Sequence, residues 1–443
     1  MTDKQPELKK ALKPIHLWAI GVGLVISGEY FGWNYGWGVA GTVGLLIAAL
    51  LITVLYFTFI FSFTELTTAI PNAGGPFAYA FKAFGPVGAL IAGYATVIEF
   101  LFATPAIALA LGSYVHFLYP SIPVVLCSVL SFAVFTLINL LGIQEAAWFS
   151  LIMTLIAIAE LLLFMGVVFP HTNIDTFLHN PMPFGWSGVF AALPFAIWLF
   201  VCLEGVAMVA EEVEDQKNAI AKGYISAVST IAFLAITVMV SVGGITNWEN
   251  LDHLDYPMPE AVAIVLGRQN PLTRFFASVG LFGLIASFHG IIISYSRQIF
   301  ALARSGYLPH VLSRVSRTRQ VPYLALLAGA IFGILALVLL DTSKLVVLST
   351  IGAVVVYIIS MLALFRLRQT HPTMPRSFKA PFYPVFPAIA LLLAIVALVA
   401  MVYFYSWLSL LFFSGFVIVS GLFYITGQYK KSMQDWETET AAS

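Results

Sequence analysis

Apolar residues run along this chain in stretches of about twenty, separated by short segments where charge, proline and glycine collect; Val43 to Phe63 and Leu391 to Leu411 are clear cases. A helix of about twenty residues rises about 30 Å, the depth of a bilayer's hydrocarbon, so each stretch reads as a membrane-spanning helix. The pattern predicts twelve of them, over 15–37, 41–70, 86–117, 122–142, 145–169, 188–211, 219–244, 272–303, 321–340, 344–368, 384–405 and 407–427. The fold class that follows is an all-α integral membrane protein with twelve transmembrane helices, both termini on one side, and tails over 1–14 and 428–443. The first apolar stretch begins only after Met1 to Lys13, is longer than the core of a signal peptide, and has no small-residue cleavage site behind it, so it is expected to be retained.

Composition agrees: 60% of residues are hydrophobic and 9% charged, against about a quarter charged in soluble domains. The net charge is zero, which gives no bias towards nucleic acid or acidic partners, so the placement of charge carries the information. With both termini cytoplasmic, all Lys and Arg residues except Arg268, Arg274 and Lys344 fall at inner helix ends or in inner loops, including Lys4, Lys9, Lys10, Lys13, Lys217, Arg297, Arg317, Arg368 and Arg376. That follows the positive-inside rule and places the chain across the cell's inner, or plasma, membrane, in contact with membrane lipid. The segments 171–187 and 246–271 then lie outside, where they can form a short external helix or lid. Cys127 and Cys202 sit within apolar runs and read as core-filling residues.

Ionisable residues inside a span cost at least about 2.5 to 3.5 kcal/mol when unpaired, so they mark functional sites. Glu29, Glu65, Glu99, Glu160 and Glu204 lie in spans, with His289, and no Lys or Arg lies as deep; their expected partner is a cation from outside the protein. Glu29 sits in Ser27-Gly28-Glu29-Tyr30-Phe31-Gly32, where two glycines weaken the helix and can free backbone groups for a ligand. Glu204 follows Trp198-Leu199-Phe200-Val201-Cys202-Leu203 five helices later, and interrupted segments at corresponding places in two halves point to a transporter site at the midplane. Glu99, just before Pro105, faces either a cavity or a buried donor. Glu160 suits a proton relay or a satisfied interhelical pair equally well, whereas His289, alone among Gly and Ser residues, reads first as hydrogen-bonded packing and second as a proton shuttle. Glu65, ahead of Pro71-Asn72-Ala73-Gly74-Gly75-Pro76, is expected to cap or pair at the cytoplasmic face. Trp18, Trp33 and Trp37 read as interfacial anchors, whereas Tyr30 and Trp198 are placed to enclose an ammonium.

No phosphate-cradling loop, zinc spacing or nucleophile elbow is present. The sequence therefore gives no catalytic residue, cofactor or metal, and argues against an enzyme or an ATP-driven pump; a channel remains a rival to a carrier.

Through Glu65-Leu66-Thr67-Thr68-Ala69-Ile70-Pro71-Asn72-Ala73-Gly74-Gly75-Pro76, the broken first helix and Trp198 to Glu204, the chain resembles the amino acid–polyamine–organocation (APC) superfamily of transporters over nearly its whole length. Within it, Gly23 to Trp33 and Phe61 to Glu65 look most like the bacterial ethanolamine permeases. The resemblance implies a 5+5 inverted repeat, helices 1–5 over 15–170 and 6–10 over 188–369, with helices 11 and 12 over 384–427 appended and helices 1 and 6 discontinuous. It implies a site lined by Ser27, Gly28, Glu29 and Tyr30, by Thr104 and Ala108, and by Trp198, Leu199 and Cys202, with Glu204 at an acidic gating position. Amino acid carriers of the superfamily typically show Gly-Ser-Gly at the first break. Here it is Ser27-Gly28-Glu29, and a carboxylate repels another carboxylate and attracts an ammonium by about 4 kcal/mol at about 4 Å. The lysine that some proton-coupled relatives carry in helix 5 has no counterpart near Ala157. The expected function is import of protonated ethanolamine by alternating access, with Glu29 holding the ammonium and Glu204, Glu160, Glu99 or His289 serving a coupling proton. A cationic amino acid or polyamine carrier is the alternative.

Overall fold

The computed structural model describes residues 11–141, 146–316 and 319–434. Lys4, Lys9, Lys10 and Arg317, used above for orientation, lie outside the described residues, as do most of the two tails. The described chain is helical, with one isolated bridge between Leu12 and Val213. In order the α-helices are α1 Pro14–Val25, α2 Ser27–Tyr30, α3 Tyr35–Ala69, α4 Pro76–Leu118, α5 Val124–Leu140, α6 Ala146–Val168, α7 Ile174–Phe177, α8 Gly185–Ala191, α9 Leu193–Trp198, α10 Ala219–Gly243, α11 Pro257–Leu266, α12 Pro271–Arg304, α13 Tyr323–Leu339, α14 Thr342–Thr370, α15 Val385–Phe404 and α16 Ser406–Ile425. A 3-10 segment, Leu203–Glu212, continues α9.

Among the described residues nine helices are long and apolar enough to cross a bilayer, and α5, α11 and α13 are shorter apolar helices. Bounds read from the sequence agree to within a few residues where proline opens a helix, as at Pro14 and Pro271, because its missing N–H is one that no helix start can satisfy; the helix expected from 86 instead starts at Pro76. Glycine punctuates where the chain must turn. Gly85, at φ +69°, divides α4 into a short lead-in and the span that begins at Pro86. Helices α4 and α14 lie at the centre of the bundle and pack closely, since a side chain on Gly352 would strike the carbonyl of Ala95 and the amide of Glu99. Helices α15 and α16 form the rim, exposing Leu392, Val399, Trp407, Val417 and Ile418. An apolar face of that kind is what a membrane-spanning helix presents to lipid.

In hydrocarbon no water completes a broken helix, so each interruption must find partners within the protein. At Gly41 (φ +71°, ψ −178°) the helix α3 turns a corner, and the carbonyl of Pro181 receives the freed N–H groups of Val43 (3.0 Å) and Gly44 (3.2 Å). The Thr42 hydroxyl donates to the carbonyl of Phe177. The segment 171–187 is thus tied down on the bundle.

At the opposite end of α3, the buried Glu65 is held by two arginines. Arg368 donates from Nε (2.7 Å) and Nη2 (2.6 Å), Arg376 approaches through Nε at 3.0 Å, and the N–H of Ala380 adds 2.7 Å. Arg376 also donates to the carbonyls of Leu367 and His371, closing the end of α14. One carboxylate thereby fastens α3, α14 and the chain leading to α15. Glu65 is therefore paired within the protein, as a helix-end carboxylate followed by Pro-Asn-Ala-Gly-Gly-Pro was expected to be.

Two consequences are measurable by denaturant unfolding in micelles. Gly41→Ala would put a methyl group 2.6 Å from Pro181 O and Pro183 Cδ at a left-handed φ, and should lower stability by about 2 kcal/mol. Glu65→Gln strands two partly buried guanidinium groups and should cost about 3 kcal/mol, while Arg304→Gln, on an exposed helix end, should cost almost nothing.

Candidate functional site

The first helix opens at Ile26. Its ladder bond from Ser27 N–H to Gly23 O is replaced by the hydroxyl of Ser287 from α12, which accepts from Ser27 N–H at 2.9 Å and donates to Gly23 O at 2.7 Å. A side chain spliced into the i→i−4 ladder is a recognised cause of a helix break. Past α2, Phe31 is extended and Gly32 takes φ +93°. Asn34 then ties this turn to the segment before α11, accepting from Gly32 N–H (3.0 Å) and donating to Leu251 O (2.7 Å) and Leu254 O (2.8 Å). Tyr35 and Ser113 donate to Asp255 in the same segment, and burial there pushes the Asp255 carboxyl above its ordinary range.

The second break follows Trp198. Leu199 to Val201 leave the helix, Cys202 adopts a left-handed φ of +73°, and the chain resumes as a ten-residue 3-10 segment, long for a form that rarely exceeds three or four residues. The freed N–H of Cys202 donates to Glu99 Oε1 at 3.0 Å. The breaks touch directly: Trp198 Nε1 donates to Phe31 O at 3.0 Å, and a side chain on Gly28 would meet Trp198 O at 2.6 Å. Only glycine allows this approach. Ser27, Gly28, Trp198, Leu199 and Cys202 are therefore gathered into one region. At the Lys13 end the two broken helices are also tethered, with Leu12 paired to Val213 and Glu212 O accepting from Ala11 and Leu12.

The glutamates divide. Glu29 is fully buried, and among the described residues neither of its carboxylate oxygens has a hydrogen-bond partner. Glu160 accepts from the Tyr30 hydroxyl at 2.7 Å, and Tyr114 donates to Tyr30 O at 3.0 Å, so these three bind α2 to α6 and α4. Glu99 accepts through Oε1 from the Cys202 N–H, while among the described residues Glu99 Oε2 and both carboxylate oxygens of the buried Glu204 have no hydrogen-bond partner. The expectation of a cation from outside is thus corrected for Glu160, held by the Tyr30 hydroxyl, and for one oxygen of Glu99, held by the Cys202 N–H, partners from distant segments that a linear pattern cannot align.

Other expectations change as well. Trp33 and Trp37 are not interfacial anchors: both are fully buried, their rings 4.7 Å apart, with Trp33 Nε1 bonded to Glu29 O. The turn at Gly32 folds them inward. Cys202 is more than filling, since its backbone makes the break. Thr104 returns its hydroxyl to Phe100 O (2.7 Å) and Ala108 O accepts from Ser128 (2.8 Å), so among the described residues neither is bonded to a break. His289 contacts Asn139 (3.3 Å) and lines a cavity of about 110 Å³ with Gly23, Ser150, Gly205, Glu212 and Arg297, on the Lys13 side of both breaks. Sequence reasoning missed Ser287 and Asn34, whose only signal is a hydrogen-bonding group inside an apolar run. Among the described residues no group of three or more His, Cys, Asp or Glu is placed to hold a metal ion.

Comparison with known proteins agrees with this architecture. The chain is 29% identical to an uncharacterized transporter of Rhizobium meliloti over 336 residues, 72% of this chain and 70% of the relative. It is 25% identical to the branched-chain amino acid permease BcaP of Bacillus subtilis over 86% of this chain and 85% of that one, and 26% identical to the methylthioribose transporter of the same organism over 86% of each. The amino acid permease family profile matches residues 12–427. A bundle of apolar helices, lipid-facing on its rim and broken where two helices cross, is the frame of a multi-pass membrane transporter, and this chain belongs to the amino acid permease family.

Proposed function

We propose that this permease is a secondary transporter that imports a small protonated amine, with ethanolamine the leading substrate, by alternating access across the cell's inner membrane. The observation that carries the reading is Glu29. It lies at the break of the first helix, two residues from Ser27, whose N–H is committed to Ser287, and among the described residues both its oxygens are buried without a hydrogen-bond partner. A lone carboxylate in a bundle core is stable only when a cation or a proton neutralises it. A protonated amine supplies that charge, whereas the carboxylate of an amino acid would be repelled. A relative named for methylthioribose is compatible with solutes that are not amino acids.

In this reading α1 and α2 with the start of α3 form the first span, α8, α9 and the 3-10 segment the sixth, and α11 lies outside, giving twelve spans and two five-helix repeats of inverted topology. The Lys13 end, with Glu65 and its arginines, is cytoplasmic, as are both termini. The cavity at His289 is then the inner exit, and the Asn34 and Asp255 contacts close the outer side. A second reading, a carrier of amino acids, rests on the similarity to BcaP, and its cationic or polyamine form would also use Glu29.

Uptake of labelled ethanolamine into proteoliposomes should saturate, and Glu29→Gln should raise the half-saturating concentration at least about tenfold, a loss of about 1.4 kcal/mol or more. Undiminished uptake by this variant removes Glu29 from the site. Unlabelled alanine in excess should leave uptake unchanged and choline should compete; saturable uptake of labelled leucine, lysine or putrescine together with no ethanolamine uptake would establish the second reading instead.

A further inference from the structure

We infer that Tyr30 is a positioning residue for the ammonium site: bonded to Glu160 and slotted against Gly283, it holds α2 so that the carboxylate of Glu29 is presented in one fixed place. The role rests on the reading of Glu29 as the ammonium partner. It gives Glu160 the part of a hydrogen-bond acceptor, for which an oxygen is needed and a charge is not.

A helix of four residues, as α2 is, has too few ladder bonds to keep its own shape. Its neighbours keep it instead. Ser27 N–H is taken by Ser287, Trp33 Nε1 donates to Glu29 O at 3.1 Å, and Tyr114 donates to Tyr30 O at 3.0 Å. The Tyr30 side chain adds the anchor to α6. Its hydroxyl donates to Glu160 Oε2 at 2.7 Å and lies 3.2 Å from Ala157 O, one turn earlier on the same helix. The two acceptors share the hydroxyl's single proton.

Packing sets where that ring can lie. Tyr30 is fully buried, and the hydroxyl end of its ring crosses α12 at Gly283, where a side chain would come within 2.4 Å of Cε2 and 2.9 Å of Oη. At Gly280, the preceding turn, a side chain would stand 3.3 Å from Cε1. Small residues on α12 thus form the slot, and the Tyr114 ring meets Tyr30 edge-on at 6.5 Å from α4. One side chain touches α4, α6 and α12 together.

Glu29 precedes this anchor directly. Its N–H is bonded to Ile26 O at 3.1 Å and its carbonyl to Trp33, so among the described residues the carboxylate oxygens are what it has left to offer a ligand. A carboxylate carried on a backbone already fixed on three sides loses less freedom when it takes a cation, and affinity gains what is not lost. Releasing Tyr30 from Glu160 frees α2 on the α6 side and blurs the place of that carboxylate.

Uptake kinetics and unfolding test the role together. Tyr30→Phe keeps the ring and loses the bond, so the half-saturating concentration of labelled ethanolamine should rise about tenfold. The maximal rate per folded protein should stay within about twofold, because a loss of binding alone leaves it unchanged. Glu160→Leu should reproduce the rise, and Glu160→Gln, whose amide oxygen still accepts, should recover most of it. In a Glu29→Gln background Tyr30→Phe should add nothing. A half-saturating concentration unmoved by Tyr30→Phe, or a full further rise in the Glu29→Gln background, would overturn the positioning role. A loss in Glu160→Gln as deep as in Glu160→Leu would show that the charge matters and overturn the acceptor role. The arm without substrate is denaturant unfolding in micelles, where the effects of Tyr30→Phe and Glu160→Leu should not add in the double variant; additive effects would overturn the clamp. Should ethanolamine not be carried, the unfolding arm still decides the clamp, and the kinetic arm is run with whichever of labelled leucine, lysine or putrescine is taken up. Failure of the substrate reading and failure of the clamp are therefore distinguishable.

Discussion

The constraint on which this structure depends is that a backbone N–H or C=O in hydrocarbon must find a partner inside the protein. Unbroken helices meet it by themselves, which is why most of the chain needs only apolar length. Each interruption creates a debt that a remote residue settles: Ser287 at Ile26, Pro181 at Gly41, Glu99 at Cys202. Those remote bonds decide which helices touch. The breaks are therefore the places where the bundle is assembled, and also the places where it can rearrange.

Charge follows the same logic with larger energies. Glu65 meets two arginines and a backbone amide at one end of the bundle, and the arrangement is a fastening because every lone pair has a donor and the arginines reach partial exposure. Among the described residues no carboxylate oxygen of Glu29 or Glu204 has a hydrogen-bond partner, and Glu99 has one only at Oε1, from the Cys202 N–H. An acid that is fully paired holds a fold together. One left without a cation keeps a charge state that a solute or a proton can change, and this difference separates the structural glutamate from the functional ones.

The breaks also explain how sites far apart in sequence act together. The first and sixth spans are bonded at their centres, through Trp198 and Phe31, and at their Lys13 ends, through Leu12 and Val213. Two such connections leave little freedom for one broken helix to move without the other. On the opposite side Asn34, Tyr35 and Asp255 bind the same first span to the segment before α11, so closing or opening at that end is transmitted to the centre.

How much of this was legible in advance depended on range. Helix positions, the membrane class, the two breaks and the acids of interest follow from the sequence, because apolar length, proline starts and glycine placement act locally and hydrocarbon tolerates few exceptions. The positions of Gly28 and Glu29 beside a weakened turn are local facts of the same kind. What the linear pattern could not supply were the partners: that Trp33 and Trp37 turn inward, that Tyr30 reaches Glu160, that Ser287 enters the ladder of the first helix, and that Glu99 receives the freed N–H of Cys202. These are contacts between residues separated by 100 positions or more in several cases, fixed by which faces of packed helices oppose one another. A sequence of nearly uniform apolarity carries no periodic signal for that choice, and only the close packing of the assembled bundle makes it.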